Sequence, residues 1–340
     1  MKRLEASETK LAKCMNARRD FANTVACRSQ TDTHHAPLPR HRRLARMGKK
    51  SKKSKEEIIA KRLAKAHAGA WVPRPFEGLP FEADLVCLRE LVPAATATAR
   101  LTEEYGGHDV TFASLLPAAW QALHRADGVL MAGLQVPFSS PDPSRDIAAA
   151  LLAVAEAAPG TFREVTSQPG DGPRLQDILD LDVPFTVTVQ ETFDFWLPED
   201  ESLRDEEVVA ALDQANEAIS PTEKLVSAPA AYWTNMAGRV YVRWALTEPE
   251  ETVLTALARL HAAGQNDMGT EGGRYLGCFR AHGIAVPVWE FDPSTQPDDL
   301  EEGLAAFVQR FTEAAARTEP LEHEERRAKA GVVSRQLTIR

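Results

Sequence analysis

The side chains best suited to chemistry lie late in the chain, in FRAHGIAVPVWE, where Arg280 and His282 stand two positions apart and Trp289 follows. An imidazole changes charge near neutral pH, and a neighbouring guanidinium can hold an anionic group, so this pair suits acid–base chemistry or anion binding. Arg259, in the last turn of an expected helix, and Arg243, in the alternating run RVYVRW, would add cations. If Arg243, Arg259, Arg280, His282 and Trp289 converge in a concave site with a perturbed imidazole, they make a pocket for a small molecule or an enzymatic reaction. Each also has a plain structural reading. A His before Gly suits a hairpin turn, cations suit the end of a helix, and Trp196, Trp233, Trp244 and Trp289 suit a core or a groove lining.

Other chemistries lack their signatures. Neither a GxxxxGK phosphate loop nor a GxGxxG turn between strand and helix is present, and there is no GxSxG elbow. GQNDMGTEGGR is rich in glycine, but it leads into a strand rather than a helix and reads as a connection. LQDILDLD clusters Asp177, Asp180 and Asp182 without a His or a further acid at ligand spacing, so capping or solvated roles are expected. The 4 cysteines, Cys14, Cys27, Cys87 and Cys278, form no CxxC pair, and Cys14, Cys27, His34 and His35 are too loosely spaced for a zinc site. A reducing compartment follows, and no cofactor or metal is assigned.

What must position any site is set by composition. The chain has 340 residues, of which 44% are apolar, enough for one large domain or two ordinary ones. Its net charge of -9 conceals a split: 19 Lys+Arg against 6 Asp+Glu in residues 1–67, then 21 against 43 in residues 68–340. An acidic body repels phosphate backbones, so contact with RNA, a ribosome or another anionic surface would run through the basic segment. Within it Lys49, Lys50, Lys52, Lys53, Lys55, Lys61 and Arg62 are the candidate contacts. The longest apolar run, IAAALLAVAEAA, is too short to span a bilayer, and the first residues carry no apolar signal core, which makes the cytoplasm the expected location.

Residues 1–46 are polar, rich in Arg and His, and without apolar periodicity; disorder is expected there. The texture changes at Met47, which reads as the natural start of translation, with residues 1–46 no part of the natural protein. Residues 47–74 form a basic tail with a short amphipathic helix carrying Ile59 and Leu63. Residues 75–320 form the body, in two similar halves of about 75–182 and 183–320, and 321–340 form an extension ending in a strand over VVSRQLTI. Three units repeat the plan strand, Gly-bearing turn, strand, helix. They begin at Pro117, Pro229 and Arg274, the first two sharing Pro-Ala-Ala-aromatic. In the third helix Leu300, Leu304, Phe307, Val308 and Phe311 make one apolar stripe; in the second, Thr247 and Glu250 have capping-box spacing and Gly264 marks the stop. Pro287, inside a strand pattern, implies an edge or a bulge. The class is therefore α+β: antiparallel sheets built from repeated strand-turn-strand-helix units, with helices packed on one face.

Five separated stretches, FEGLPFEADLVCLRELVPAAT, DGPRLQDILD, LARLHAAG, FRAHGIAVPVWE and ERRAKAGVVSRQLTI, together resemble a bacterial domain family of unknown function from high-GC genomes, from about Pro75 to the C-terminus. Some members of that family carry an N-terminal SEC-C zinc motif and SecA-like names. This chain has no cysteine between Met47 and Trp71, so that module is absent and no translocase role follows. The resemblance brings no activity and no catalytic residue. The expected function is a non-catalytic cytoplasmic interaction protein that reaches an anionic partner through its basic tail; the competing expectation is a ligand-binding protein or enzyme with a pocket near Arg280 and His282.

Overall fold

The structure, a computed structural model, describes residues 71–138, 140–165, 171–334 and 338–339. The expectations for residues 1–46, for Met47 and for the tail helix lie outside these residues. A first helix, α1 (Glu82–Glu90), precedes β1 (Ala95–Arg100), β2 (Asp109–Ala113), β3 (Ala122–His124) and β4 (Leu130–Gly133). Next come α2 (Pro143–Ala155), β5 (Phe162–Arg163), α3 (Leu175–Ile178), β6 (Val187–Val189) and α4 (Glu206–Asn216). Then follow β7 (Thr222–Lys224), β8 (Ala231–Met236), β9 (Arg239–Trp244), α5 (Glu250–Ala262), β10 (Arg274–Ala281) and β11 (Ile284–Phe291). The last elements are α6 (Glu301–Ala316), α7 (His323–Ser334) and β12 (Thr338–Ile339).

The strands make two six-stranded sheets, ordered β5-β3-β4-β2-β1-β6 and β12-β10-β11-β9-β8-β7. Neighbours are antiparallel except β2 with β4 and β10 with β12, so the α+β class holds with one parallel junction in each sheet. The sheets change over between β6 and β7, the outer strands of the first and second sheet.

All three repeated units form. Each hairpin turns on a glycine with positive φ, Gly128, Gly238 or Gly283. In the last two the preceding residue, Ala237 or His282, is also left-handed, the pattern of a tight two-residue turn. The Pro-Ala-Ala motif has a physical counterpart as well, since Ala118 and Ala230, each following the proline, share φ 49°. At the end of α5, Gly264 donates to His261 O at 3.1 Å and Gln265 to Leu260 O at 2.8 Å, a complete Schellman stop. The start of α5 differs from the expected capping box. Pro249 is its N-cap, so Glu250 is the first helical residue rather than the third, and its carboxylate bonds Arg280 instead.

Pro287 stands in an interior strand, and two features accommodate it. The β10–β11 register shifts between Tyr275 and Gly277, and the β9 ladder ends at Val288, so no ladder bond to β9 is asked of Pro287. The final strand is shorter than its pattern implies. Val332, Val333 and Ser334 belong to α7, which packs back on α5 and buries Val332, leaving Thr338–Ile339 as strand.

Burial is layered. Helices α5 and α6 cover one face of the second sheet, with Leu254, Leu257, Leu304, Phe307 and Phe311 against Trp233, Val242, Trp244 and Trp289. Val308, the remaining member of the α6 stripe, is partly buried beside them. The other face of that sheet, with Tyr232, Ala245, Ile284 and Val286, packs with Leu85 and Leu88 of α1 into the core of the first sheet. A third cluster on the first sheet joins Leu116 and Met131 to Phe193, Trp196 and Leu212; Trp196 sits in a 3-10 turn there rather than in a strand.

Candidate functional site

Alternation along each strand decides where Arg243, Arg280 and Trp289 go. Arg280 and Trp289 fall on the face of the second sheet covered by α5 and α6, whereas Arg243 falls on the opposite face, turned to α1, and His282 occupies the β10–β11 turn. They do not converge in one cleft. Arg280 pairs with Glu250, at the start of α5, through Nε at 3.1 Å and a second, shorter contact. Arg259 is buried and donates through Nη1 to Ala314 O at 2.8 Å and to Arg317 O at 2.6 Å, and through Nη2 to Glu319 O, which ties α5 to the end of α6. Trp289 is fully buried and its indole donates to Asn266 O at 2.8 Å.

His282 lies at a buried seam that the sequence reading missed. Its Nε2 is 2.9 Å from Glu90 Oε1 and 3.2 Å from Arg89 Nε, and its ring meets Phe76 edge-on at 5.6 Å. Arg89 also donates to Leu134 O at 2.7 Å. Next along α1, Asp84 accepts from Tyr232 Oη at 2.7 Å and from Lys224 Nζ at 2.8 Å. The signal for this seam was present in LVCLRE: Leu85, Val86, Cys87 and Leu88 are all buried, so α1 is enclosed on every side and its charged residues need partners.

Asp146, in α2, is buried near the same seam, and its Oδ1 has no hydrogen-bond partner. Burial raises this carboxyl above its ordinary value despite help from Ser140 and Arg89. A raised carboxyl binds its proton more tightly folded than unfolded, so its contribution is present at low pH and lost as pH rises through the folded value. Asp146→Asn, which removes the charge, should therefore raise the melting temperature at neutral pH. The difference from wild type should vanish in acid, and thermal unfolding at both pH values checks it.

Five further titratable groups are held within the fold. Burial pushes the Cys278 thiol up to about 12 and the Cys87 thiol up further, which suppresses thiolate chemistry at both. Glu290 is opposed by burial but accepts from Arg274 at 2.8 Å and Arg239 at 2.7 Å, which hold it below its ordinary value. That bond also engages Arg274 at the end of the glycine-rich loop. Asp177 caps α3 by accepting from Arg174 N at 2.7 Å, and Asp180, beyond the end of that helix, accepts from Asp182 N at 3.1 Å.

Of the three candidate arginines, Arg243 has a single hydrogen-bond partner. Burial pulls its guanidinium down to about 10, its Nη2 donates to Thr234 Oγ1 at 2.5 Å, and its Nε has no hydrogen-bond partner. An open depression of about 530 Å³ lies at the β6–β7 junction, lined by Val187, Lys224, Leu225, Val226, Ala228 and Pro229, and it contains none of the five candidates. Among the described residues no three His, Cys, Asp or Glu side chains could hold a metal ion, and no helix is long and apolar enough to cross a membrane. The seven basic candidates, Lys49, Lys50, Lys52, Lys53, Lys55, Lys61 and Arg62, lie outside the described residues.

None of the curated proteins and none of the solved structures matches the chain. A family model does match, from the entry to α1 through both sheets to the C-terminus. By that match over residues 75–340, the chain belongs to the family of unknown function DUF5926.

Proposed function

We propose that the protein is a non-catalytic cytoplasmic interaction protein whose basic segment contacts RNA, ribosomal RNA being the abundant form. The observation that carries this reading is the charge split: 8 Lys+Arg against 2 Asp+Glu in residues 47–67, beside 21 against 43 in residues 68–340. Phosphate contacts of this kind are independent of sequence and release counterions, so binding weakens steeply with salt. The use of Arg259, Arg280, His282 and Trp289 within the fold supports the non-catalytic half of the reading.

The test compares the full chain with a variant in which Lys49, Lys50, Lys52, Lys53, Lys55, Lys61 and Arg62 are replaced by Gln. Binding to polyuridylate is followed by fluorescence anisotropy across a salt series. With about 0.7 counterions released per single-strand contact, losing all seven contacts flattens the salt slope by up to about 5. The melting temperature should stay unchanged. An unchanged slope would place the contact on the body and sink the reading.

A further inference from the structure

The face of the second sheet turned to α1 carries a polar grid. In one row Lys224 stands opposite Tyr232, Tyr232 opposite Arg243, and Arg243 opposite Val288. In the next, Thr222, Thr234, Tyr241, Glu290 and Arg274 follow one another across the strands. Asp84 answers Lys224, and Glu290 answers Arg239 and Arg274. Arg243 has no such answer: among the described residues no carboxylate reaches it, and its only hydrogen-bond partner is the hydroxyl of Thr234, at 2.5 Å. Buried charges are ordinarily paired, and a guanidinium edge matches two oxygens of a phosphate or a carboxylate at once. Arg243 still keeps 9% of its surface exposed, with Thr222, Tyr241 and Val288 half-buried around it. The Thr222 hydroxyl lies 3.2 Å from that of Thr234 and is also 3.0 Å from Ser220 O, to which it donates.

We propose that Arg243, with the hydroxyl of Thr234 beside it, recognises the phosphate or carboxylate group of a small anionic ligand on this sheet face. The site is independent of the basic segment, so either assignment can fail without the other.

The test is thermal unfolding of the full chain in inorganic phosphate, in acetate and in chloride, at tens of millimolar and matched ionic strength. The wild-type chain should gain about 2–4 °C in the oxyanion it binds, relative to chloride. Arg243→Met removes a buried unpaired charge, so it should be at least as stable as wild type in chloride and show no response. Arg243→Lys keeps the charge without the two-point edge and should respond less than wild type; it carries the test alone if the Met variant does not fold. The chain with the seven tail cations replaced should respond like wild type. A response to phosphate alone assigns a phosphate ester, and one to acetate alone a carboxylate. No response to either, an Arg243→Met chain that responds like wild type, or a full response in Arg243→Lys would overturn the proposal.

Discussion

Trp289→Ala is expected to lower stability by about 3–5 kcal/mol, the cost of emptying a fully buried aromatic site. Two losses combine, and the site has little room to relax. The indole ring leaves a gap under α6, where it meets Phe307 edge-on at 5.0 Å and Tyr275 at 5.4 Å. Asn266 O loses the donor that fixes the glycine-rich loop. That loop in turn abuts α6 so closely that a Cβ on Gly303 would lie 2.0 Å from Met268 O, which leaves little freedom to collapse into the gap. Trp289→Phe keeps most of the volume and loses the hydrogen bond, so it should cost about 1–2 kcal/mol. Urea midpoints at constant m-value separate the two. A cost below about 1 kcal/mol for the alanine variant would show that Trp289 is not the core anchor of the helix-covered face.

Arg259→Met is expected to cost about 3 kcal/mol, although the residue is charged and Met fills much the same space. The guanidinium serves Ala314 O, Arg317 O and Glu319 O, carbonyls at and just beyond the end of α6 that have no further helical turn to bond. Removing it orphans three acceptors, Ala314 O in a buried place and Arg317 O and Glu319 O in partly buried ones. Arg259→Lys keeps the charge but cannot span the same set of carbonyls, and should recover less than half of the loss. If the Lys variant matches wild type, the contribution is one of charge at a helix end, worth at most about 1 kcal/mol, rather than carbonyl capture. Hydrogen exchange at the start of α7 gives an independent reading, because Glu319 leads directly into that helix.

The two results bear on how far this chain is legible. Elements governed by local chemistry read directly: the Gly-terminated hairpins, the Schellman stop at Gly264, the α6 stripe and the three repeated units all follow from residues within a few positions of each other. Pro287 read as an irregularity, and the sheet supplies one as a register shift. What local patterns did not carry was direction across the sheets. The spacing of Arg280, His282 and Trp289 placed them together in sequence, yet strand alternation sends Trp289 under the helices and the turn carries His282 to α1. The seam at Arg89, Glu90 and His282 joins residues almost two hundred positions apart, a pairing that no spacing rule discloses. Capping was half legible. Asp177 caps as its neighbourhood implies, but the Thr247–Glu250 box was displaced because Arg280 offered Glu250 a tertiary partner.

These placements bear on function in one direction. Arg259, Arg280 and His282, the groups that sequence alone would nominate for chemistry, are engaged in holding the second sheet to its helices and to α1. Among the described residues Arg243 is a buried cation that meets neither a carboxylate nor a backbone carbonyl, and the basic segment is where the chain concentrates positive charge. RNA contact, as proposed, runs through that segment. Ultraviolet crosslinking of the intact protein to a short uridine-rich RNA, followed by mass spectrometry of the crosslinked peptides, tests it most directly. The account predicts adducts within residues 47–67. Adducts confined to residues 75–320, with the basic peptides recovered unmodified, would contradict it.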